Sequence, residues 1–140
     1  MIDAKAYLQQ IKLCDEYISS KLAEVERLKA LALNITSTIK GDVSSGSHSQ
    51  DKIGDAVAKL LDLQNDINNA IDKYVDLKRE IHSVLDQLTN KDYVSILYKR
   101  YFEHKTWEKI ACEMNYSYQW ICKLHGRALQ AVEKIVKNQN

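Results

Sequence analysis

The stretch Thr106-Trp107-Glu108-Lys109-Ile110-Ala111-Cys112-Glu113-Met114-Asn115-Tyr116-Ser117-Tyr118-Gln119-Trp120-Ile121-Cys122-Lys123-Leu124 decides the fold. Thr106 is a good N-cap, because its hydroxyl can accept a backbone N–H that the first helical turn leaves unpaired. Glu108 places an acid where the helix dipole favours one. Trp107, Ile110, Ala111 and Met114 follow at helical spacing, over a helix only about eight residues long. Asn115 tolerates the left-handed conformation that ends helices, and Ser117 offers a fresh N-cap after the turn. From Tyr118 onward, Ile121, Leu124, Ala128, Val132 and Ile135 mark the buried face of a last helix reaching about residue 136. Two helices around a three- or four-residue turn, the second longer, make a helix-turn-helix.

Working back from this motif, Glu103-His104-Lys105 is a short polar break. Before it, a helix over about residues 90 to 102 puts Val94, Leu97, Tyr98 and Tyr101 on one face. Thr89, with Asp92 three residues on, reads as its start. Upstream the period changes to seven. Residues 53 to 88 carry Ile53, Leu60, Ile67, Tyr74, Ile81 and Leu88 at one heptad position and Ala56, Leu63, Ala70, Leu77 and Val84 three places later, with Val57, Ile71 and Leu85 widening the stripe. Residues 2 to 40 repeat the scheme with Ala4, Ile11, Ile18, Val25, Ala32 and Ile39, then Tyr7, Cys14, Leu28 and Ile35, and only Lys21 interrupts it. Five heptads in each segment satisfy the coiled-coil pattern.

Residues 41 to 50 lose the period and gather two Gly and four Ser, as a flexible hairpin tip does. Two helices of roughly 55 to 60 Å each can then fold back antiparallel with matched ends. The predicted fold is all-α: a long antiparallel helical hairpin over 1–88 with its tip at 41–50, followed by a three-helix helix-turn-helix domain over 89–140. The added apolar positions Leu8, Leu22, Val57 and Ile71 leave room for a second copy in a four-helix arrangement, so a homo-oligomer through the hairpin is expected. His48 in the tip and His82 on the stalk read as surface residues.

Composition agrees. The chain has 140 residues, no Pro and four Gly, which favours long uninterrupted helices. Mean hydropathy is −0.41 and no 18-residue apolar run occurs, so no membrane span is expected. Asp3 and Lys5 interrupt the N-terminus before a secretory signal can form. Cys14, Cys112 and Cys122 are an odd set without a CxxC pair, which fits reduced thiols in a cytoplasm. Cys112, Cys122 and His125 lack the paired spacing of structural zinc, and the cysteines read instead as small buried hydrophobes. No metal or other cofactor is expected.

The near-zero net charge of +1 conceals an asymmetry. From Thr89 onward nine basic residues face five acids, net +4, whereas the first 88 residues hold 11 basic and 14 acidic, net −3. A basic helix-turn-helix unit on an acidic stalk is the footprint of a double-stranded DNA reader. In such a unit the second helix enters the major groove with its N-terminal side chains at base edges. Tyr118, Gln119, Trp120, Cys122 and Lys123 stand opposite Ile121 and Leu124. Gln119 suits bidentate pairing with adenine, Lys123 suits guanine or a phosphate, and the rings of Tyr118 and Trp120 suit thymine methyls or sugars. The expected base contacts are Tyr118, Gln119, Trp120 and Lys123, and the expected phosphate contacts are Arg100, Lys105, Lys109, Ser117 and Arg127. His125 borders this helix, and Gly126, costing about 1 kcal/mol inside it, permits close approach by DNA or by the stalk.

The run Thr106-Trp107-Glu108-Lys109-Ile110-Ala111 through Ser117, Ile121, Leu124 and Arg127-Ala128-Leu129, with Leu97 and Arg100-Tyr101 before it, resembles region four of bacterial sigma factors. It is similar also to phage late-gene regulators of the ArpU and RinA type. The whole chain, including the Ser/Gly tip and Asp51-Lys52-Ile53-Gly54-Asp55-Ala56-Val57-Ala58-Lys59, resembles small phage or prophage proteins of Gram-positive bacteria. The resemblance implies a regulator of phage transcription whose base contacts fall on Tyr118, Gln119 and Lys123, with RNA polymerase as a further partner. The sigma helix carries several Arg and Glu where this one has Tyr, Gln, Trp and Cys, so a consensus promoter element is not an implied target. Nothing before residue 88 resembles the sigma regions that melt DNA or grip polymerase.

Two alternatives stay open: a DNA-packaging subunit of the small-terminase kind, which also joins such units to helical oligomerisation segments, and a coiled-coil adaptor contacting polymerase or another protein. An enzyme is not expected, because there is no phosphate-cradling Gly loop and no HExxH, and the acids fall mostly on the solvent faces of the heptads.

Overall fold

The computed structural model describes residues 3–41 and 46–139. The elements are α1 (Ala4–Gly41), α2 (Gly46–Leu85), α3 (Lys91–Leu97), a π-helical turn (Tyr98–Phe102), α4 (Trp107–Met114) and α5 (Tyr118–Gln139). The fold is all-α, a long helical hairpin followed by a helical domain, as the sequence predicts. The expected tip narrows, because α1 continues to Gly41 and α2 already begins at Gly46. Residues 42–45 of the expected tip lie outside the described residues, as do the side chains of His48, Ile35 and Ile39.

The chain forms two compact units, Asp15–Lys73 and Met1–Cys14 with Tyr74–Asn140. Within Asp15–Lys73 the heptad register holds residue by residue. Ala56, Leu63 and Ile67 are buried and Ile18, Lys21, Val25, Leu28, Ala32, Ile53, Leu60 and Ala70 half-buried, while nearly every other described position is exposed. Lys21 occupies a seam position with its Nζ 5.4 Å from the Tyr17 ring centroid, so the long stem covers the seam while the charge reaches the surface. The apolar positions expected to widen the stripe divide. Leu22, Val57 and Ile71 are exposed, whereas Leu8 and Leu85, in the other unit, are fully buried.

The larger unit owns the main core: Ala4, Leu8 and Ile11 of α1, Ile81, Val84 and Leu85 of α2, and Ile96, Leu97, Tyr101, Ile110, Ile121, Leu124, Ala128 and Val132 of the C-terminal helices. Both ends of the hairpin therefore share one core with α3, α4 and α5. The boundary expected at 88/89 separates periodicities but not cores. A unit of two short helices and one long one buries only a modest share of its surface alone, and the hairpin base supplies the missing side of the core. Tyr7 reinforces that base by donating its hydroxyl to Glu80 Oε1 at 3.1 Å. His82 is exposed, as expected of the stalk surface, and there it hydrogen-bonds the Tyr98 hydroxyl and packs its ring 4.7 Å from that of Phe102.

The start of α3 lies one residue later than Thr89. Asn90 is the N-cap, its Oδ1 accepting from Asp92 N at 2.9 Å and Tyr93 N at 3.3 Å. After Leu97 the helix widens, and Glu103 N donates five residues back to Tyr98 O at 3.0 Å. No local signal in Tyr98-Lys99-Arg100-Tyr101-Phe102 marks this π-helical turn.

Candidate nucleic-acid interface

The helix-turn-helix is built by the caps read from its sequence. Thr106 Oγ1 accepts from Lys109 N at 3.3 Å and opens α4. Asn115 closes it in the left-handed conformation, φ 59° and ψ 40°. Tyr116 N donates to Ala111 O at 3.1 Å and Asn115 N to Cys112 O at 3.3 Å, so two of the carbonyls at the end of α4 are satisfied. Ser117 Oγ then accepts from Trp120 N at 3.1 Å and caps α5. This leaves Ser117 its hydroxyl proton for an outside acceptor.

Ile121, Leu124, Ala128, Val132 and Val136 hold α5 on the core, with Ile135 half-buried. The opposite face exposes Tyr118, Gln119, Cys122, Lys123, Gly126 and Arg127. Trp120 is half-buried, its ring covered by the Arg127 guanidinium 5.2 Å from the centroid and met edge-on by Tyr116 at 6.4 Å. Tyr116 is itself pinned by a 2.7 Å hydrogen bond to Asp92 Oδ2, which also raises its phenol above the ordinary range. The four expected base-contact residues thus share the first two turns of one helix, three of them exposed and Trp120 braced.

The expected phosphate contacts are less uniform. Lys109 is exposed at the first turn of α4, and Arg127 lies over Trp120. Lys105 differs, because its Nζ pairs with Glu113 at 2.7 Å and with Glu103 at 3.1 Å. Lys99 reaches the same Glu113 at 3.0 Å, so two lysines and one carboxylate clamp the π-helical turn to α4. Hydrogen bonds from Lys105 and then Lys99 hold the Glu113 carboxyl down to about 2. The charge of Lys105 is spent inside the domain. Arg100 is half-buried, its guanidinium 4.4 Å from the Trp107 ring centroid and one Nη1 donating to Lys105 O at 2.9 Å.

Behind the exposed face, His125 Nε2 meets the Tyr101 hydroxyl at 2.8 Å and its ring lies 4.4 Å from that of Trp107. His125 therefore ties α5 to both preceding elements. Burial first, then the positive charges of Lys5 and Arg100, push it down to about 4, so the folded protein keeps it neutral. An unfolded His125 protonates near its ordinary value of 6.5, and between there and about 4 the unfolded chain takes up a proton that the fold refuses. This contribution is complete above that window and is lost as pH falls through it. The expected loss is about 1–2 kcal/mol, allowing for solvent screening of a partly exposed ring. Chemical denaturation at pH 7 and pH 5 checks this: His125→Gln should flatten the difference, and an equal difference in both proteins contradicts the assignment. Glu113 does not interfere, because its own window lies below its ordinary value of 4.5.

An added Cβ at Gly126 would meet nothing within 4 Å, so no contact of the described stalk requires the glycine. Cys112 and Cys122 are exposed rather than buried, since both fall on the outward faces of α4 and α5. The pairs Tyr101–His125, Arg100–Trp107 and Tyr116–Asp92 and the Glu113 clamp were not legible in the sequence, because each joins residues on different elements with no shared motif. Among the described residues no helix is long and apolar enough to cross a membrane.

No curated protein and no solved structure matches the chain. A family model described as "Protein of unknown function (DUF1492)" matches residues 33–133, a span running from α1 through α2 and the helix-turn-helix into α5. With more than half of its length inside that match, the chain belongs to the DUF1492 family.

Proposed function

We propose that the protein is a non-enzymatic, sequence-specific double-stranded DNA-binding regulator of phage or prophage transcription, acting in the cytoplasm. The observation that carries this is the N-terminal half of α5: Tyr118, Gln119 and Lys123 stand exposed on a helix held by Ile121, Leu124 and Ala128 after a capped, left-handed turn. A rigid helix presenting an amide, a phenol and an ammonium is equipped for the major groove, where donors and acceptors distinguish all four base pairs. Lys109, Ser117 and Arg127 hold the phosphate backbone and Lys123 meets a guanine edge or a phosphate, while the clamp on Lys105 leaves that residue a positioning role.

The hairpin brings two copies together. Tyr17, Leu22, Leu31, Leu33, Val57, Leu61 and Ile71 are exposed in its distal unit, more apolar surface than a solitary stalk needs. A second copy there matches DNA readers that bind paired half-sites. RNA polymerase is the further partner through which binding would alter transcription.

Duplex affinity measured across a salt series tests the DNA assignment. The wild type should show log K falling linearly with log salt, and Lys123→Ala should reduce that slope by about 0.9 if the ammonium meets a phosphate. Lys123 is exposed, so melting should be unchanged. A folded wild type that binds no duplex at low salt refutes the assignment.

A further inference from the structure

One cleft of the larger unit lies outside the α5 face. It is an open cleft of about 80 Å³, lined by Gln9 and Lys12 of α1, Arg100 and Tyr101 of the π-helical turn, and His104. Every lining residue offers a hydrogen-bond donor, two carry a fixed positive charge, and none is a carboxylate. Among the described residues, neither Lys12 nor His104 has a carboxylate partner, in contrast to Lys99 and Lys105 nearby.

The cleft is also prearranged. Arg100 is fixed by its stack on Trp107 and by one hydrogen bond to Lys105 O, which leaves the other N–H donors of its planar fork for an outside acceptor. Tyr101 is fixed from behind by His125. The backbone here departs from regular helix twice, in the π-helical turn and at His104, a non-glycine residue with φ 57°. Such irregularities cost free energy and recur where a protein shapes a ligand site. At Tyr101 the positive charge of Arg100 outweighs the negative charge of Asp3, and Lys5 and Arg100 both act on His125 behind it.

We propose that Lys12, Arg100 and His104 seat one phosphodiester of a bound DNA duplex, so that the base of the hairpin takes part in the nucleic-acid interface. The proposal rests on the DNA assignment above. The Tyr101–His125 bond ties the cleft to α5, and the charge of Arg100 reaches the Tyr118 phenol at the start of that helix, so a duplex read by α5 would have its flanking backbone beside Arg100. Such a contact fixes register and carries no sequence information. It would give the α1 start, which no helix-turn-helix pattern includes, a direct role in docking.

The test uses the full chain and the double variant Lys12→Ala/His104→Ala, both positions being exposed, with Arg100 left intact because it braces α4. Against a set of unrelated duplexes, the variant should lose about five- to tenfold in affinity on every sequence, with the salt slope lower by about 0.9 and melting unchanged. Wild-type affinity and slope in the variant overturn the cleft and leave α5 as the interface. If the wild type itself binds no duplex, the DNA assignment fails and the phosphodiester proposal with it. Titration with inorganic phosphate at constant ionic strength, followed by amide resonances of residues 99–105, then distinguishes a simple anion site, lost in the variant, from no site at all.

Discussion

Leu97→Ala is expected to destabilise the larger unit by about 2–5 kcal/mol, the range for truncating a large aliphatic side chain in a packed core. Leu97 is fully buried at the point where α3 passes into the π-helical turn, within the cluster that joins α3 and α5 to the hairpin base. The cavity cannot easily close, because Ile96 and Tyr101 on the same segment are themselves buried and engaged. Domains are stable by only about 5–15 kcal/mol, so this one change would consume a large share of the margin. Urea denaturation followed by far-ultraviolet circular dichroism should show a lower midpoint. Leu13→Ala, at a position 62% exposed, should stay within about 0.5 kcal/mol of wild type. Equal midpoints for the two variants contradict the assignment of the core.

Much of that core was legible. Heptad positions such as Ala56, Leu63, Ile67, Ile81 and Val84 are buried as the period requires, because side-chain direction along a helix follows directly from spacing. The turn was equally readable: Thr106, Asn115 and Ser117 each have a side chain or a backbone tolerance that suits one position at a helix end. What spacing cannot supply is the partner of a charged or polar group on another element. Lys105 looks like a phosphate contact from its charge and place, yet Glu113 on the following helix neutralises it. Lys12 belongs to no motif of the sequence, yet it lines the same cleft as Arg100 and His104. Helix capping is local information, whereas charge pairing and the sharing of a core between hairpin base and C-terminal helices arise only on folding.

Gln119→Ala is expected to have the larger effect on recognition. Gln119 is exposed on the first turn of α5, and a side-chain amide is the group whose adjacent donor and acceptor match the N6 and N7 edge of adenine. Loss of one bidentate contact costs about 1–3 kcal/mol of discrimination at a single base pair. The variant should therefore bind its preferred duplex more weakly while its affinity for unrelated duplexes hardly changes. This separates it from Lys123→Ala, which on a phosphate would weaken all duplexes alike. Because Gln119 is exposed, its removal should leave thermal stability unchanged. A uniform loss over all sequences would move Gln119 from base edge to backbone.

Selection of bound duplexes from a random pool by the wild-type full chain is the most direct test of the central claim, that α5 reads DNA sequence. The expected result is enrichment of one defined site, with a preference at one adenine position that disappears when the selection is repeated with Gln119→Ala. Recovery of an unenriched pool by a folded protein, at a salt concentration low enough for backbone contacts to form, would contradict it.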